Sequence, residues 1–442
     1  MLEAIIRKNL RERLLKNCVK EPWQGAMAGN RARNRGKLML CQFTFKNHRS
    51  YRDETVLSLQ ATPMKEFERS LIECEDGQRF LPVAVVYGPN AGGKSNLIEA
   101  FKHVNYTVTR PIYVLGRGVG GPEMESTLVP LSAGFVFDGT SSSDPSEYEL
   151  YYRSDGYEFR YALSIKKGEI LYEGLWRRKL GASRAATLFE REGSEVVLGV
   201  LLRKESVPTD FNPLLPYFSF LYMNCDLPVV ADAASWFLTT AIIDFNSFSH
   251  ERILEKQLDE EDSPKIARFL KAVDVHVEGF RVEEDPVCGR RVLVKHVVNG
   301  KEYELRLCEE SSGTQKLMGL ATIVFNALEE GSALVVDELD AKLHPKLLRY
   351  LVLLFKDPEV NKKGAQLIFT SQDISTMRND VFRRDEIWFA ARDENEVSQL
   401  WSLADIHEAN GNLVSSKAAF DKQYLAGRYG ADPYLTRIEE WE

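Results

Sequence analysis

The sequence predicts an α/β fold: a parallel core sheet carrying a phosphate-binding loop, an antiparallel β subdomain, and an inserted helical subdomain. Three observations predict it. Gly88–Ser95 reads GPNAGGKS and fits G-x-x-x-x-G-K-[ST], with an apolar run, Val83–Tyr87, before it and a helical pattern after it. Ala333–Glu338 reads ALVVDE, a short apolar run that would deliver two carboxylates to the carboxyl edge of such a sheet. Between them, Tyr148–Tyr152, Tyr157–Ile165 and Ile170–Trp176 alternate as antiparallel strands do, with Lys167-Gly168 as a turn.

In chain order, residues 2–19 place Leu2, Ile5, Ile6, Leu10, Leu14 and Cys18 near one helical face and Arg7, Lys8, Arg11 and Lys16 elsewhere. This basic amphipathic helix suits nucleic acid, a membrane surface or a partner. Translation from Met27 or Met39 would instead make it dispensable. Residues 24–37 hold Gly, Asn and Arg without apolar periodicity and read as a linker, so 1–38 form an extension. From Met39 come the strands Leu40–Phe45 and Thr55–Leu59, a hairpin around Asn47–Tyr51 that precedes the phosphate loop. With the polar loop at 139–146 and the antiparallel strands, these make an N-terminal lobe over 39–200. Tyr157, Tyr161 and Trp176 read as cross-strand pairs of a sheet core rather than a base-stacking platform. The texture then turns helical and apolar at Trp236–Ile243 and Lys265–Val273, which predicts a helical insertion over 201–274 without coiled-coil heptads. Strands resume at His276–Val282, Arg291–Val298 and Glu302–Leu307, opening a C-terminal lobe over 275–442.

The formal charge of −8 is unevenly spread: Met1–Lys37 has ten Lys/Arg and three Asp/Glu, leaving 47 against 62 beyond it. Such an acidic body gives no global footprint for tight duplex binding, while leaving local nucleic-acid contacts open. No run of about eighteen apolar residues occurs and no apolar core follows a basic start, which predicts a cytoplasmic protein without a membrane span. The six cysteines, at 18, 41, 74, 225, 288 and 308, lack C-x-x-C spacing and read as reduced, mostly buried thiols.

The phosphate loop implies ATP and Mg²⁺. Gly88, Gly92 and Gly93 let the backbone turn tightly and aim N–H groups at phosphate from a helix N-terminus, across Pro89, Asn90, Ala91 and on to Asn96. Lys94 brings a positive charge to the β- and γ-phosphates, and the Ser95 hydroxyl suits Mg²⁺. In the second motif Asp337 is the expected magnesium carboxylate, and Glu338, one residue on, the group that orients or deprotonates the attacking water.

Glu310–Lys316, ESSGTQK, resembles the signature loop of ABC-type ATPases, and Asp337–Pro345, DELDAKLHP, resembles their second carboxylate motif and D-loop. With NHRSY at Asn47–Tyr51, the chain resembles the SMC, RecF and OLD branch of that family. More narrowly, GPNAGGKSNLIEA, VVDELDAKLHP and the ending YLAGRYGADPYL are similar to AAA-type ATPases of bacterial abortive-infection systems, over about residues 39–435. The resemblance implies an ABC-type ATPase head that sandwiches nucleotide between two protomers, with Ser312, Gly313 and Gln315 acting in trans and Arg49 contacting nucleotide. It implies a homo-oligomer, a separate nuclease or toxin-like effector and a phage-derived trigger. Two departures stand out. Where a switch histidine often follows the strand Gln366–Thr370, this chain has Gln372, a neutral amide that predicts slow hydrolysis. No glutamine lies between Gln78 and Gln257, so the usual Q-loop magnesium ligand is missing or replaced. His344, before Pro345, reads equally as a dimer contact or a helix-start residue. Two other readings fit the same residues: a RecF-like repair ATPase that clamps DNA, and an ATP-binding scaffold with little turnover.

Overall fold

The computed structural model describes residues 37–116, 133–245, 258–285, 289–341, 343–408 and 411–431. The amphipathic stretch 2–19, nearly all of the linker, Cys18 and Cys288 lie outside them. The strands in chain order are β1 (Met39–Lys46), β2 (Thr55–Ser58), β3 (Ile72–Glu73), β4 (Arg79–Phe80), β5 (Val83–Tyr87), β6 (Ser146–Ser154), β7 (Tyr157–Lys166), β8 (Glu169–Lys179) and β9 (Ala186–Glu192). They continue as β10 (Glu195–Leu198), β11 (Ala241–Asp244), β12 (Gly279–Asp285), β13 (Gly289–Val298), β14 (Lys301–Arg306), β15 (Ala333–Asp337), β16 (Gln366–Thr370), β17 (Ile387–Arg392) and β18 (Ser398–Ser402). The helices are α1 (Lys94–Gly116), α2 (Val200–Lys204), α3 (Tyr217–Asn224), α4 (Pro228–Thr239), α5 (Ser263–Ala272), α6 (Ser312–Glu330), α7 (Pro345–Lys356) and α8 (Phe420–Leu425).

The core sheet runs in the spatial order β11-β15-β16-β5-β17-β18, parallel except for the last pair. Its strands are apolar on both faces, as parallel strands covered on both sides must be. Val83, Val85, Leu334, Val336, Leu367 and Phe369 face one core together with α6 and α7. Ala84, Val86, Ala333, Val335 and Ile368 face a second core. That second core holds Leu97, Phe101, Val104 and Val108 of α1, spaced for one helical face. Beyond α1 lies the antiparallel sheet β10-β9-β8-β7-β6-β1-β2, whose Tyr152, Tyr161 and Leu163 close the same core. The expected α/β fold class, a parallel core with an antiparallel subdomain, is the one observed. The smaller ribbons β12-β13-β14 and β3-β4 complete the described sheets, and all six residues of the edge strand β14 are exposed. No described helix is long and apolar enough to cross a membrane.

Several expectations are corrected. The helix expected over Trp236–Ile243 stops at Thr239, and Ala241–Asp244 pairs in parallel register with Leu334–Asp337 at the edge of the core sheet. A run as short as Ala-Ile-Ile does not distinguish helix from buried strand by period, and the open edge of β15 decides the outcome. Segment 201–274 is therefore not wholly helical. Tyr161 is buried as expected, whereas Tyr157 and Trp176 are half-buried, with the guanidinium carbons of Arg177 and Arg160 at 4.5 and 4.6 Å from their rings. Of the described thiols only Cys41 is buried, and Cys308 is exposed.

Glu173 of β8 ties α3 to the antiparallel sheet. It is fully buried and accepts hydrogen bonds from the Tyr217 and Phe218 N–H groups, at 2.6 and 3.1 Å, and from the Tyr161 hydroxyl at 3.0 Å. A carboxylate thus meets the positive end of a helix. Arg191, also buried, lies 3.5 Å from it and donates to the carbonyls of Leu215 and Pro213 at 2.6 and 2.5 Å. Burial pushes the Glu173 carboxyl above its usual range, while Arg191 and the two N–H groups pull it back. Glu173→Ala strands the guanidinium, and urea unfolding is expected to show a loss of about 3–5 kcal/mol; a loss under about 1 kcal/mol would contradict this account.

Candidate functional site

The loop between β5 and α1 is shaped by what lies above it. A Cβ on Gly88 would collide with the Ala390 carbonyl oxygen, and one on Gly92 would lie 2.5 Å from that same oxygen. Gly88 also has φ 152°, outside the range that L side chains favour. Strand β17 therefore sets the loop's path as firmly as the loop's own sequence does. Lys94 opens α1 with its side chain turned back into the loop, Nζ donating to the carbonyls of Gly88 and Pro89 at 2.8 and 2.9 Å. Burial pushes its ammonium below the usual lysine range, opposed by the charges of Asp337, Asp340 and Glu338.

The Asn47–Tyr51 segment clasps the start of α1. Asn96 Nδ2 donates to Ser50 Oγ at 2.6 Å, Ser398 Oγ donates to the same oxygen at 2.7 Å, and Ser398 N–H donates to the Ser50 carbonyl at 2.8 Å. Arg49 has φ 52° and its guanidinium sits 3.6 Å from Glu99 of α1.

Asp337 ends β15 and Glu338 follows in the left-handed region, φ 51°, rare for a residue with a side chain. Thr370, the last residue of the neighbouring β16, holds this elbow. Its hydroxyl donates to Asp337 Oδ1 at 2.5 Å and accepts from the Glu338 N–H at 2.7 Å. The Glu338 carboxyl is raised above the usual range, first by burial and then by Asp337, Asp244 and Asp340, with Lys94 opposing. Asp340 Oδ2 accepts from the N–H groups of Gln372 and Asp373, at 2.9 Å each, so the exposed Gln372 side chain is carried on a turn fixed by a carboxylate. The site thus brings Lys94, Asp337 and Glu338 within one electrostatic neighbourhood. The sequence reading missed the bracing by Thr370, Asp340 and Ser398 and the charge of Asp244. A hydroxyl at the end of a strand and the second aspartate of DELD were the available signals, but their partners lie on other strands.

The signature segment forms the start of α6. Ser311 is the cap, its Oγ accepting from the Thr314 N–H at 3.1 Å, so the helix begins at Ser312. Ser312 and Gly313 are exposed, and Gln315 Nε2 donates to the Glu310 carbonyl at 2.9 Å. His344 caps α7, its Nδ1 accepting from the Lys346 N–H at 3.2 Å, the helix-start role among its two readings.

These residues fit Mg²⁺ and ATP. The loop leaves no room for side chains at Gly88 and Gly92, where N–H groups must approach phosphate closely. Ser95 and Asp337 offer few protein oxygens, as suits a cation that keeps phosphate and water ligands.

Residues 83–378 match the family described as AAA domain, putative AbiEii toxin, Type IV TA system. The chain belongs to this family. No curated relative matches it. Among solved structures, an SmcHead bound to the C-winged helix domain of ScpA is similar at 13% identity and TM-score 0.43, covering 82% of this chain and 97% of that one. The SMC head domain from Thermotoga maritima is similar at 15% identity and TM-score 0.40, covering 82% and 98%. A Pyrococcus furiosus Smc head with an extended coiled coil, bound to the C-terminal domain of ScpA, gives 13% and 0.37, covering 83% and 96%.

Thr370→Val removes the elbow's brace and leaves the half-buried Glu338 N–H without its Thr370 acceptor. We expect a loss of about 1–3 kcal/mol in chemical denaturation, with Thr370→Ser close to wild type; equal stability of Thr370→Val and wild type would exclude the bracing role.

Proposed function

We propose that the protein is an ATPase whose heads dimerise on ATP and whose nucleotide state controls a separate effector in abortive-infection defence against phage. The observation that carries the ATPase reading is the convergence of Lys94, at the start of α1, with the Asp337-Glu338 elbow braced by Thr370. Main-chain N–H groups of Gly88–Ser95 and the Lys94 ammonium bind the phosphates. Ser95 and Asp337 hold Mg²⁺, which when bound neutralises charge on the β- and γ-phosphates. Glu338 orients the attacking water and takes its proton, and a carboxyl raised toward neutral pH is a better base. Gln372 senses the γ-phosphate as a hydrogen-bond donor that does not titrate, which keeps hydrolysis slow. Dimerisation is supported by the exposed N-terminus of α6, where Ser312 and Gly313 face solvent beside Gln315, whose amide donates to the nearby Glu310 carbonyl, at an anion-attracting helix start. In the proposed dimer this start meets the γ-phosphate of the partner head, so only the triphosphate joins both halves. The effector role is supported by family membership and by the abortive-infection likeness of the sequence.

At about 100 times its Kd, MgATP is expected to stabilise wild type by about 2.7 kcal/mol and to leave Lys94→Ala unchanged in a thermal-shift assay. An equal response of both proteins would refute binding through the loop. Glu338→Gln is expected to bind ATP, to lose most turnover and to accumulate as an ATP-dependent dimer in light scattering, with Ser312→Arg remaining monomeric. A mass independent of nucleotide in wild type and Glu338→Gln would sink the dimer, and wild-type turnover in Glu338→Gln would remove that residue from the chemistry.

A further inference from the structure

The exposed start of α6 stands on two residues, Glu310 and Ser311, and the first of them is gripped twice. The Glu310 carbonyl accepts from Gln315 Nε2 at 2.9 Å, and its carboxylate, whose side chain is only 8% exposed, meets His296 Nε2 at 2.6 Å. A contact that short is characteristic of a charge-assisted bond. His296 belongs to β13, where it pairs with Tyr303 of β14. Its other ring nitrogen, Nδ1, meets the His276 carbonyl oxygen at 3.1 Å, just ahead of β12. One imidazole thus joins the ribbon β12-β13-β14 to the segment that carries Ser312 and Gly313.

Both partners of this ring are acceptors. A neutral imidazole has one N–H and serves one of them, whereas a ring with an N–H on each nitrogen serves both and is fixed at two points. The consequence falls on Ser312. Consecutive Cα atoms are about 3.8 Å apart, so Ser312 lies within about 7.6 Å of Glu310. Ser311, between them, is committed to the cap: its Oγ accepts from the Thr314 N–H at 3.1 Å and its carbonyl from the Gln315 N–H at 3.0 Å. Glu310 and the first turn of α6 therefore move as a unit. For a group that must meet a phosphate, a misplacement of about 1 Å costs on the order of a hundredfold.

We infer that His296 is a positioning residue: through Glu310 it sets where the start of α6 presents Ser312 and Gly313 to the γ-phosphate bound by the partner head. This rests on the dimerisation reading above and names a contact within each head on which that association depends. The ribbon, which bears none of the residues assigned to phosphate or Mg²⁺, thereby acts on the joining of heads rather than on the capture of nucleotide by Gly88–Ser95.

Light scattering of the full chain with saturating MgATP, over a range of protein concentrations, tests this with Glu338→Gln as the parent so that ATP persists. Loss of a charge-assisted bond is expected to weaken the parent's dimer at least about tenfold in His296→Leu. His296→Gln places an amide N–H close to where Nε2 stood and is expected to stay within about threefold of the parent. Glu310→Ala is expected to match His296→Leu, and the double variant to be no weaker than either, as two residues acting through one contact require. Should His296→Leu melt early, Glu310→Ala, outside the ribbon, carries the same test. A lower melting point without nucleotide but an unchanged dimer constant, additive losses in the double variant, or equal losses in His296→Gln and His296→Leu would each overturn the positioning role. If the parent itself fails to dimerise on ATP, the dimer reading falls and this inference with it; if the parent dimerises and His296→Leu does so equally well, only the role of His296 falls.

Discussion

The Thr370 hydroxyl is the constraint on which the geometry of the candidate site depends. One oxygen donates to Asp337 and accepts from the Glu338 N–H, so it fixes the orientation of one carboxylate and the unusual backbone of the next residue together. A left-handed residue bearing a side chain persists only where its surroundings over-determine it. Here β16, lying between β5 and β15, supplies that determination, and the same strand end receives the Leu339 N–H at 3.2 Å while Ser371 N–H reaches the Val86 carbonyl of β5 at 3.1 Å. The phosphate-loop strand is thereby joined by hydrogen bonds, through one intervening strand, to the carboxylate elbow.

A second constraint works from the other flank. The Ala390 carbonyl of β17 and Ser398 at the start of β18 crowd Gly88, Gly92 and Gly93, and Ser398 also bonds Ser50 in the clasp. The loop is thus crowded by strands of its own sheet that are distant in sequence. The C-terminal strands set where the loop's N–H groups point, so GPNAGGKS alone does not fix the loop's shape.

Much of this was legible in the sequence where a local rule suffices. The loop, its strand and its helix follow from glycine spacing and a five-residue apolar run; β6, β7 and β8 follow from alternation; β16 was bounded correctly as Gln366–Thr370. What failed was non-local. Ala241–Asp244 became a strand because an open sheet edge was present, and the bracing roles of Thr370, Asp340 and Ser398 exist only through neighbours many residues away. His344 had two readings of equal merit, and the Lys346 N–H it accepts supplies the helix-start role. Tyr157 and Trp176 matched a cross-strand pattern, but the pattern does not say which face of a sheet stays wet.

The exposed edge strand β14 has a consequence for handling the protein. Its sequence, KEYELR, places charges at Lys301, Glu302, Glu304 and Arg306 around Tyr303 and Leu305, which are 52% and 42% exposed. A strand with one open edge, as β14 has beyond its pairing with β13, is a template for adding another strand, and charged side chains are a usual protection. That protection is electrostatic and weakens as ionic strength rises. Concentrated salt therefore favours edge-to-edge stacking at this ribbon, an association independent of nucleotide and chemically distinct from any pairing through α6.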